Sequence, residues 1–171
     1  MARNEQGAEE PLIIFDDAHF MRAALRQAEI AAANGEVPVG AIVVLDGRIV
    51  ARAANQVEML KDATAHAEIL AITQAEAALG DWRLEKADLY VTKEPCAMCA
   101  GAMVNCRLRR VIFGMPDPRC GAAGSALSIT SFPGMLHKVE VRSGVLEEEC
   151  RAVMQSFFKG VRTLKTPKPL P

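Results

Sequence analysis

Apolar side chains at Met21, Leu25, Ala28 and Ala32 recur at helical spacing. They are bracketed by Asp16-Asp17, a pair suited to cap a helix start, and Asn34-Gly35, suited to end one. The pattern predicts a first helix between them. The period then changes: two apolar runs, 39–45 and 48–53, flank Asp46-Gly47, which supplies the positive φ angles of a tight hairpin and predicts two antiparallel strands. Residues 55–64 are polar and irregular, and 66–79 read as a second helix stopped by Gly80. A third strand is predicted over 88–92, and Pro95 follows where proline suits the first turn of a helix, here one running to about Cys106. Beyond a fourth strand at 110–113 lies a Gly- and Pro-rich loop, 114–124, of a length that usually serves a function. Residues 138–142 suit a short edge strand, and Leu146, Cys150, Val153, Phe157, Val161 and Leu164 form one stripe of a last helix.

Strands separated by helices predict an α/β layered domain, and the opening hairpin makes its five-stranded sheet mixed. One domain is expected over 1–171, with 1–10 and 166–171 as loose termini too poor in apolar surface to hold themselves down. A chain of 171 residues is long enough for one sizeable core. With 50% hydrophobic and 24% charged residues, collagen-like, low-complexity and largely disordered classes are excluded. Lys plus Arg total 20 against 21 acidic residues, so the net charge of −1 gives no global signal for nucleic acid or a membrane surface, and a polyanion would have to meet a local patch. Apolar runs fall far short of the roughly 20 residues that cross a bilayer, and the first residues lack a secretion signal, so a reducing cytoplasm is expected. In that setting the C-x-x-C formed by Cys96 and Cys99, two of five cysteines, points to metal or redox chemistry before disulfides.

His66, Cys96 and Cys99 each fall at the predicted start of a helix on the same expected edge of the sheet, placed to converge on one ion. Three protein ligands and a fourth position left open is the pattern of a catalytic zinc, whereas a structural zinc normally has four. His19 and His137 are distant in sequence and Cys106 lies about two turns beyond Cys99, which leaves Cys120, in the long loop, as the residue placed to swing in as a fourth. Glu68 is two residues after His66. In mid-helix that spacing turns two side chains to nearly opposite sides, but in a first turn both reach a site lying off the helix end. There a carboxylate accepts a proton from water that zinc has brought to a pKa near 7, and passes it to a substrate. Helix N-termini aimed at the metal also favour the thiolate forms of the cysteines. Each feature alone has an ordinary reading, the cysteine pair as a redox or structural zinc motif and the histidine as a satisfied core residue. Together, His66-Ala67-Glu68 and Pro95-Cys96-Ala97-Met98-Cys99 give the H-x-E and P-C-x-x-C signature of zinc deaminases.

At these residues the chain resembles the bacterial tRNA-specific adenosine deaminases of the cytidine and deoxycytidylate deaminase superfamily. The resemblance runs from the first helix through Glu36-Val37-Pro38-Val39-Gly40-Ala41, Ala65-His66-Ala67-Glu68, the stretch from Glu94 to Met103 and Gly121-Ala122-Ala123-Gly124-Ser125 to Phe157-Phe158. It implies a three-layer α/β/α cytidine-deaminase-like fold, a homodimer, and one Zn2+ per subunit on His66, Cys96 and Cys99 with Glu68 as catalytic proton shuttle. The implied reaction is hydrolytic deamination of adenosine to inosine at the wobble position of a tRNA anticodon, with release of ammonia. Asn55 matches the family's asparagine that holds the target nucleotide, and Ala67 is expected beside the substrate with it. Lys93 departs from the apolar residue usual before Glu-Pro-Cys, and Ser128-Ile129-Thr130 and Leu136 depart from more polar versions of their stretch. The alternative is a zinc deaminase of a free base or nucleoside such as guanine, cytosine or cytidine. A third reading, a non-catalytic zinc-stabilised RNA-binding protein, fits poorly with the retained Glu68.

Two local patches are candidates for the anticodon stem-loop. Residues 151–171 carry Arg151, Lys159, Arg162, Lys165 and Lys168 and no acid, a charge of +5. Phe158 and Arg162, one helical turn apart, would offer a stacking ring beside a phosphate-binding guanidinium. The ordinary reading is a solvated helix end with Phe158 in the core. A second group, Arg107, Arg109, Arg110 and Arg119 against Asp117, gives +3 across 101–125, and a solvated strand edge explains it equally well. Cys106, Cys150, Met98 and Met103 are expected to pack in the core, and His137 to be structural.

Overall fold

The computed structural model describes residues 16–165. Both expected loose termini lie outside them. Asp16 caps α1 (Asp17–Ala33) by accepting the His19 N–H at 2.8 Å, and Asn34 closes the helix. Its apolar face, with Phe20, Met21, Ala24, Leu25 and Ala28, is buried against the sheet. The helix meets β1 (Gly40–Leu45) so closely that a Cβ on Gly40 would lie 2.1 Å from the Ala24 carbonyl oxygen. Asp46 and Gly47, at φ 50° and 73°, turn the chain into β2 (Arg48–Ala54) as the hairpin signal predicts.

The stretch after β2 is less irregular than its polarity suggests. A single turn, α2 (Val57–Leu60), stands in it, tethered by the buried Glu36, whose carboxylate accepts the Glu58 N–H at 3.1 Å and the Met59 N–H at 2.8 Å. Next come α3 (Ala67–Leu79), ended by Gly80 at φ 66°, β3 (Asp88–Lys93), α4 (Ala97–Asn105) and β4 (Arg110–Met115). Pro95 precedes the cap residue Cys96 instead of standing in the first helical turn, a shift of two positions from expectation. The short edge strand β5 (Glu140–Arg142) and α5 (Glu147–Lys165) complete the order. Cys150 is buried and Val153, Phe157 and Val161 half-buried along the expected stripe, with Met154 buried beside it; the side chain of Leu164 lies outside the described residues.

The strands run β2-β1-β3-β4-β5 across one sheet, antiparallel at β2-β1 and β1-β3 and parallel at β3-β4 and β4-β5. This is the mixed five-stranded sheet the sequence predicts. Ala41, Val43, Leu89, Val91 and Val111 pack with residues of α3 and α4, while Ile42, Val44, Tyr90 and Ile112 pack with residues of α1 and α5. The result is three layers, α/β/α. Central strands covered on both faces have no polar side to present, hence their near-continuous apolar runs. The carboxyl end of β3 and the starts of α3 and α4 meet at one edge of the sheet, where layered α/β folds open a crevice.

Candidate active site

His66 and Cys96 are the cap residues of α3 and α4, positions where Ser, Thr, Asp or Asn would ordinarily accept a backbone N–H. Neither side chain does so. They turn instead toward each other and toward Cys99, in the first turn of α4. Cys96 Sγ lies 3.7 Å from Cys99 Sγ and 3.7 Å from His66 Nδ1, and Cys99 Sγ lies 3.5 Å from that nitrogen. Bonds of about 2.3 Å to sulfur and 2.05 Å to nitrogen at tetrahedral angles would separate two sulfurs by about 3.8 Å and a sulfur from a nitrogen by about 3.6 Å. The three ligand atoms are therefore spaced as zinc requires, and their chemistry, two thiols and an imidazole, is that of zinc sites. They form the candidate metal group among the described residues. Cys120, the expected fourth candidate, is exposed and stands outside it, its backbone N–H donating to the Asp117 carboxylate at 3.3 Å.

The cluster polarises its own members. Hydrogen bonds from Cys99 and then His66 bring the Cys96 thiol down to about 3 against the effect of burial, whereas the bond to Cys96 and burial push Cys99 up. Hydrogen bonding to Cys96 also raises His66 above its ordinary value, again against burial. Three groups sharing protons around one point are a set that a dication can take over, releasing those protons as it binds. Glu68, in the first turn of α3, is buried at 4% exposure, and that burial raises its carboxyl above the ordinary carboxylate range. It faces the same cavity as His66 and Cys96, a space of about 270 Å³. His66 stands at the cap rather than in the first turn, one position earlier than expected, and from there reaches the same cavity as Glu68.

Asn55 lines this cavity too, its amide donating to Glu36 Oε2 at 3.3 Å. Because a carboxylate only accepts, this contact fixes the Asn55 NH2 toward Glu36. Ala67 is fully buried in the core and brings no side chain to the cavity wall. Phe158 and Arg162 lie on α5, away from the cavity lining; Phe158 is 41% exposed, not in the core, and the Arg162 Nε–H donates to the Phe158 carbonyl at 3.2 Å. The second basic group does not border the site as a patch. Arg109 and Arg110 stand at the far end of the sheet, where Asp88 accepts from both, at 2.7 and 2.8 Å, and Asp17 from Arg110. Met98, expected in the core, is exposed because the first turn of α4 emerges at the crevice, while Met103, Cys106 and Cys150 are buried as predicted. His137 donates through Nε2 to the Leu108 carbonyl at 2.7 Å, a structural role.

Two supports were not legible in the sequence. Glu94, 3% exposed, accepts the N–H groups of Asp117 at 2.8 Å, Ala123 at 3.1 Å and Ser125 at 3.0 Å, holding the long loop against the end of β3. Beside it, the Lys93 ammonium donates to Asp117 Oδ2 at 2.5 Å. A single glutamate or lysine has no periodicity, and these partners lie more than twenty residues away.

The model of the MafB19-like deaminase family matches residues 15–162 of this chain. A tRNA-specific adenosine deaminase of Bacillus subtilis (strain 168) is 47% identical over 149 residues, 87% of this chain and 92% of its relative. The chain belongs to the tRNA-specific adenosine deaminases. A solved structure from work on A-to-I editing by tRNA:A34 deaminases at the wobble position of transfer RNA is similar to this family member at a TM-score of 0.77 and 48% identity, over 79% of this chain and 98% of that one. A guanine deaminase from Nitrosomonas europaea shares the fold, with a TM-score of 0.73 at 22% identity, over 87% and 88% of the two chains. The cytidine-deaminase-like architecture is thus common to this chain, its tRNA:A34 deaminase neighbour and the more distant guanine deaminase.

Proposed function

We propose that the chain hydrolytically converts adenosine to inosine at the wobble position of a tRNA anticodon, with His66, Cys96 and Cys99 holding zinc and Glu68 moving the proton. The observation that carries this reading is the convergence of one imidazole and two thiols, all within 4.8 Å, beside a buried carboxylate in a chain of this family. Zinc, when bound, supplies Lewis-acid activation of the attacking water. Glu68 accepts a proton from that water and delivers it to adenine N1, which makes C6 electrophilic. Once the water oxygen has added to C6, the same carboxylate takes the remaining proton of that hydroxyl and passes it to the departing amine, so that ammonia leaves and inosine keeps the proton on N1. Asn55, its amide polarity set by Glu36, presents its remaining donor and its carbonyl to the target nucleotide, and the backbone at Ala67 borders the same base.

Phe158 and Arg162 supply a separate contact to the RNA strand by stacking and phosphate binding. The chain acts as a cytoplasmic homodimer; the exposed apolar side chains of Met59 and Leu60 on α2 and Met98 on α4 support an interface near the crevice, and Leu136 adds exposed apolar surface elsewhere. The test is direct. Zinc-loaded protein is incubated with an anticodon stem-loop bearing a wobble adenosine and, separately, with guanine, cytosine and cytidine. Inosine and ammonia from the stem-loop are expected; ammonia from the free compounds alone would replace this reading with that of a small-molecule deaminase.

A further inference from the structure

The cavity beside the ligand cluster carries a charge pattern at odds with a polyanionic substrate. Four carboxylates line it, Glu36, Glu58, Glu68 and Glu94, and Lys93 is the lysine or arginine among its lining residues. The chain as a whole, at net −1, gives an incoming strand no compensating attraction. Lys93 ends β3, three residues before Cys96, so its backbone is fixed by the sheet and by parallel pairing with Met115. Its ammonium is anchored on the Asp117 carboxylate, 11% exposed, while the Lys93 side chain keeps 30% of its surface open. An ammonium has three N–H donors. Asp117 takes one, and no other acceptor engages Lys93 among the described residues. The Asp117 carboxylate is itself held by the N–H groups of Arg119 and Cys120, so the lysine is pinned at the tip as well as at the root.

From this we propose that Lys93 is a substrate-binding residue whose ammonium, pre-positioned by Asp117, holds a phosphate of the single-stranded RNA segment entering the cavity. The inference rests on the reading of the chain as an RNA deaminase and adds to it the residue that admits a polyanion to an acidic pocket. Anchoring serves this role because a free lysine must give up its rotamer freedom on binding, whereas this one is already ordered. One phosphate neutralised by one lysine leaves a signature that a structural role does not: a change in the salt dependence of affinity.

Affinity for the anticodon stem-loop is measured over a series of KCl concentrations for the wild type, Lys93→Met, Lys93→Arg and the double variant Lys93→Met/Asp117→Asn, with melting temperature recorded for each. Lys93→Met is expected to make the plot of log affinity against log salt shallower by about 0.7, the value of one single-strand phosphate contact. It is also expected to weaken low-salt binding about tenfold, and Lys93→Arg to restore both. The double variant is expected to keep the shallower slope, since neutralising Asp117 does not replace the lost cation. A wild-type slope in Lys93→Met, with or without a fall in melting temperature, overturns the proposal. So does a wild-type slope in the double variant, which would assign the effect to the bare Asp117 charge. Inosine formation by the wild type is followed in parallel. If inosine forms while the slopes are unchanged, this inference alone fails; if the wild type neither binds the RNA nor forms inosine, the deaminase reading fails with it.

Discussion

Glu68, the proposed proton carrier, is kept from water. Burial raises its carboxyl above the ordinary carboxylate range, the direction that suits a group proposed to accept a proton and hand it on. Glu68→Ala is expected to lower kcat at least about 10²-fold while the zinc content, read by elemental analysis, stays at one per chain. Wild-type turnover in that variant would remove Glu68 from the mechanism. Asp117 shows the opposite balance. Burial by itself would raise its pKa, but hydrogen bonds from Lys93 and from the Arg119 and Cys120 N–H groups outweigh it and hold the carboxyl below its ordinary value. A depressed carboxyl contributes stability that is present above the unfolded-state pKa and is lost as pH falls through the folded one. In urea denaturation, Asp117→Asn is therefore expected to cost about 1–3 kcal/mol at neutral pH. That gap is expected to hold constant down to about pH 5 and to narrow below about pH 4. A gap that widens on acidification would contradict the assignment.

Each helix that carries chemistry is placed by something at its ends. α3 and α4 begin at His66 and Cys96, and what brings those starts together is the sheet edge on which both helices sit. On the other face, α1 reaches β1 only because Gly40 has no side chain. Gly40→Ala puts a methyl against the Ala24 carbonyl and the Ala28 nitrogen, backbone atoms that cannot swing aside, and is expected to cost about 3 kcal/mol in chemical denaturation. An unchanged midpoint would mean that the helix and strand separate freely. The same elements explain what could be read in advance. The Asp16 cap, the Asp46-Gly47 hairpin and the cysteine-bearing helix are each signalled by neighbours within a few residues, and each formed as expected. By contrast, α2 hangs on Glu36, and the 3-10 turn at Ile129–Ser131 takes its first N–H bond to Ala122, contacts set by tertiary structure and invisible to local pattern. The cluster of His66, Cys96 and Cys99 was legible because zinc demands a particular residue set. Lys93 and Asp117 were not legible as a pair, because an ion pair demands only opposite charge.

On the scale of the whole molecule, the candidate site sits at one edge of a layered sheet. The arginines at the far end of the sheet are occupied with Asp88 and Asp17, and the proposed RNA contacts are Lys93 and the outer part of α5. No helix among the described residues is long and apolar enough to cross a membrane. The exposed apolar side chains on α2, α4 and at Leu136 call for a cover, and sedimentation equilibrium is expected to give twice the chain mass of 18.4 kDa. A monomer at micromolar concentration would contradict the homodimer. The most direct test of the central claim is X-ray absorption at the zinc edge of the purified protein. One zinc per chain is expected, bound by two sulfurs at about 2.3 Å and by two nitrogen or oxygen atoms at about 2.0–2.1 Å, one of them from water. A third or fourth sulfur, or a protein that binds no zinc, would contradict it.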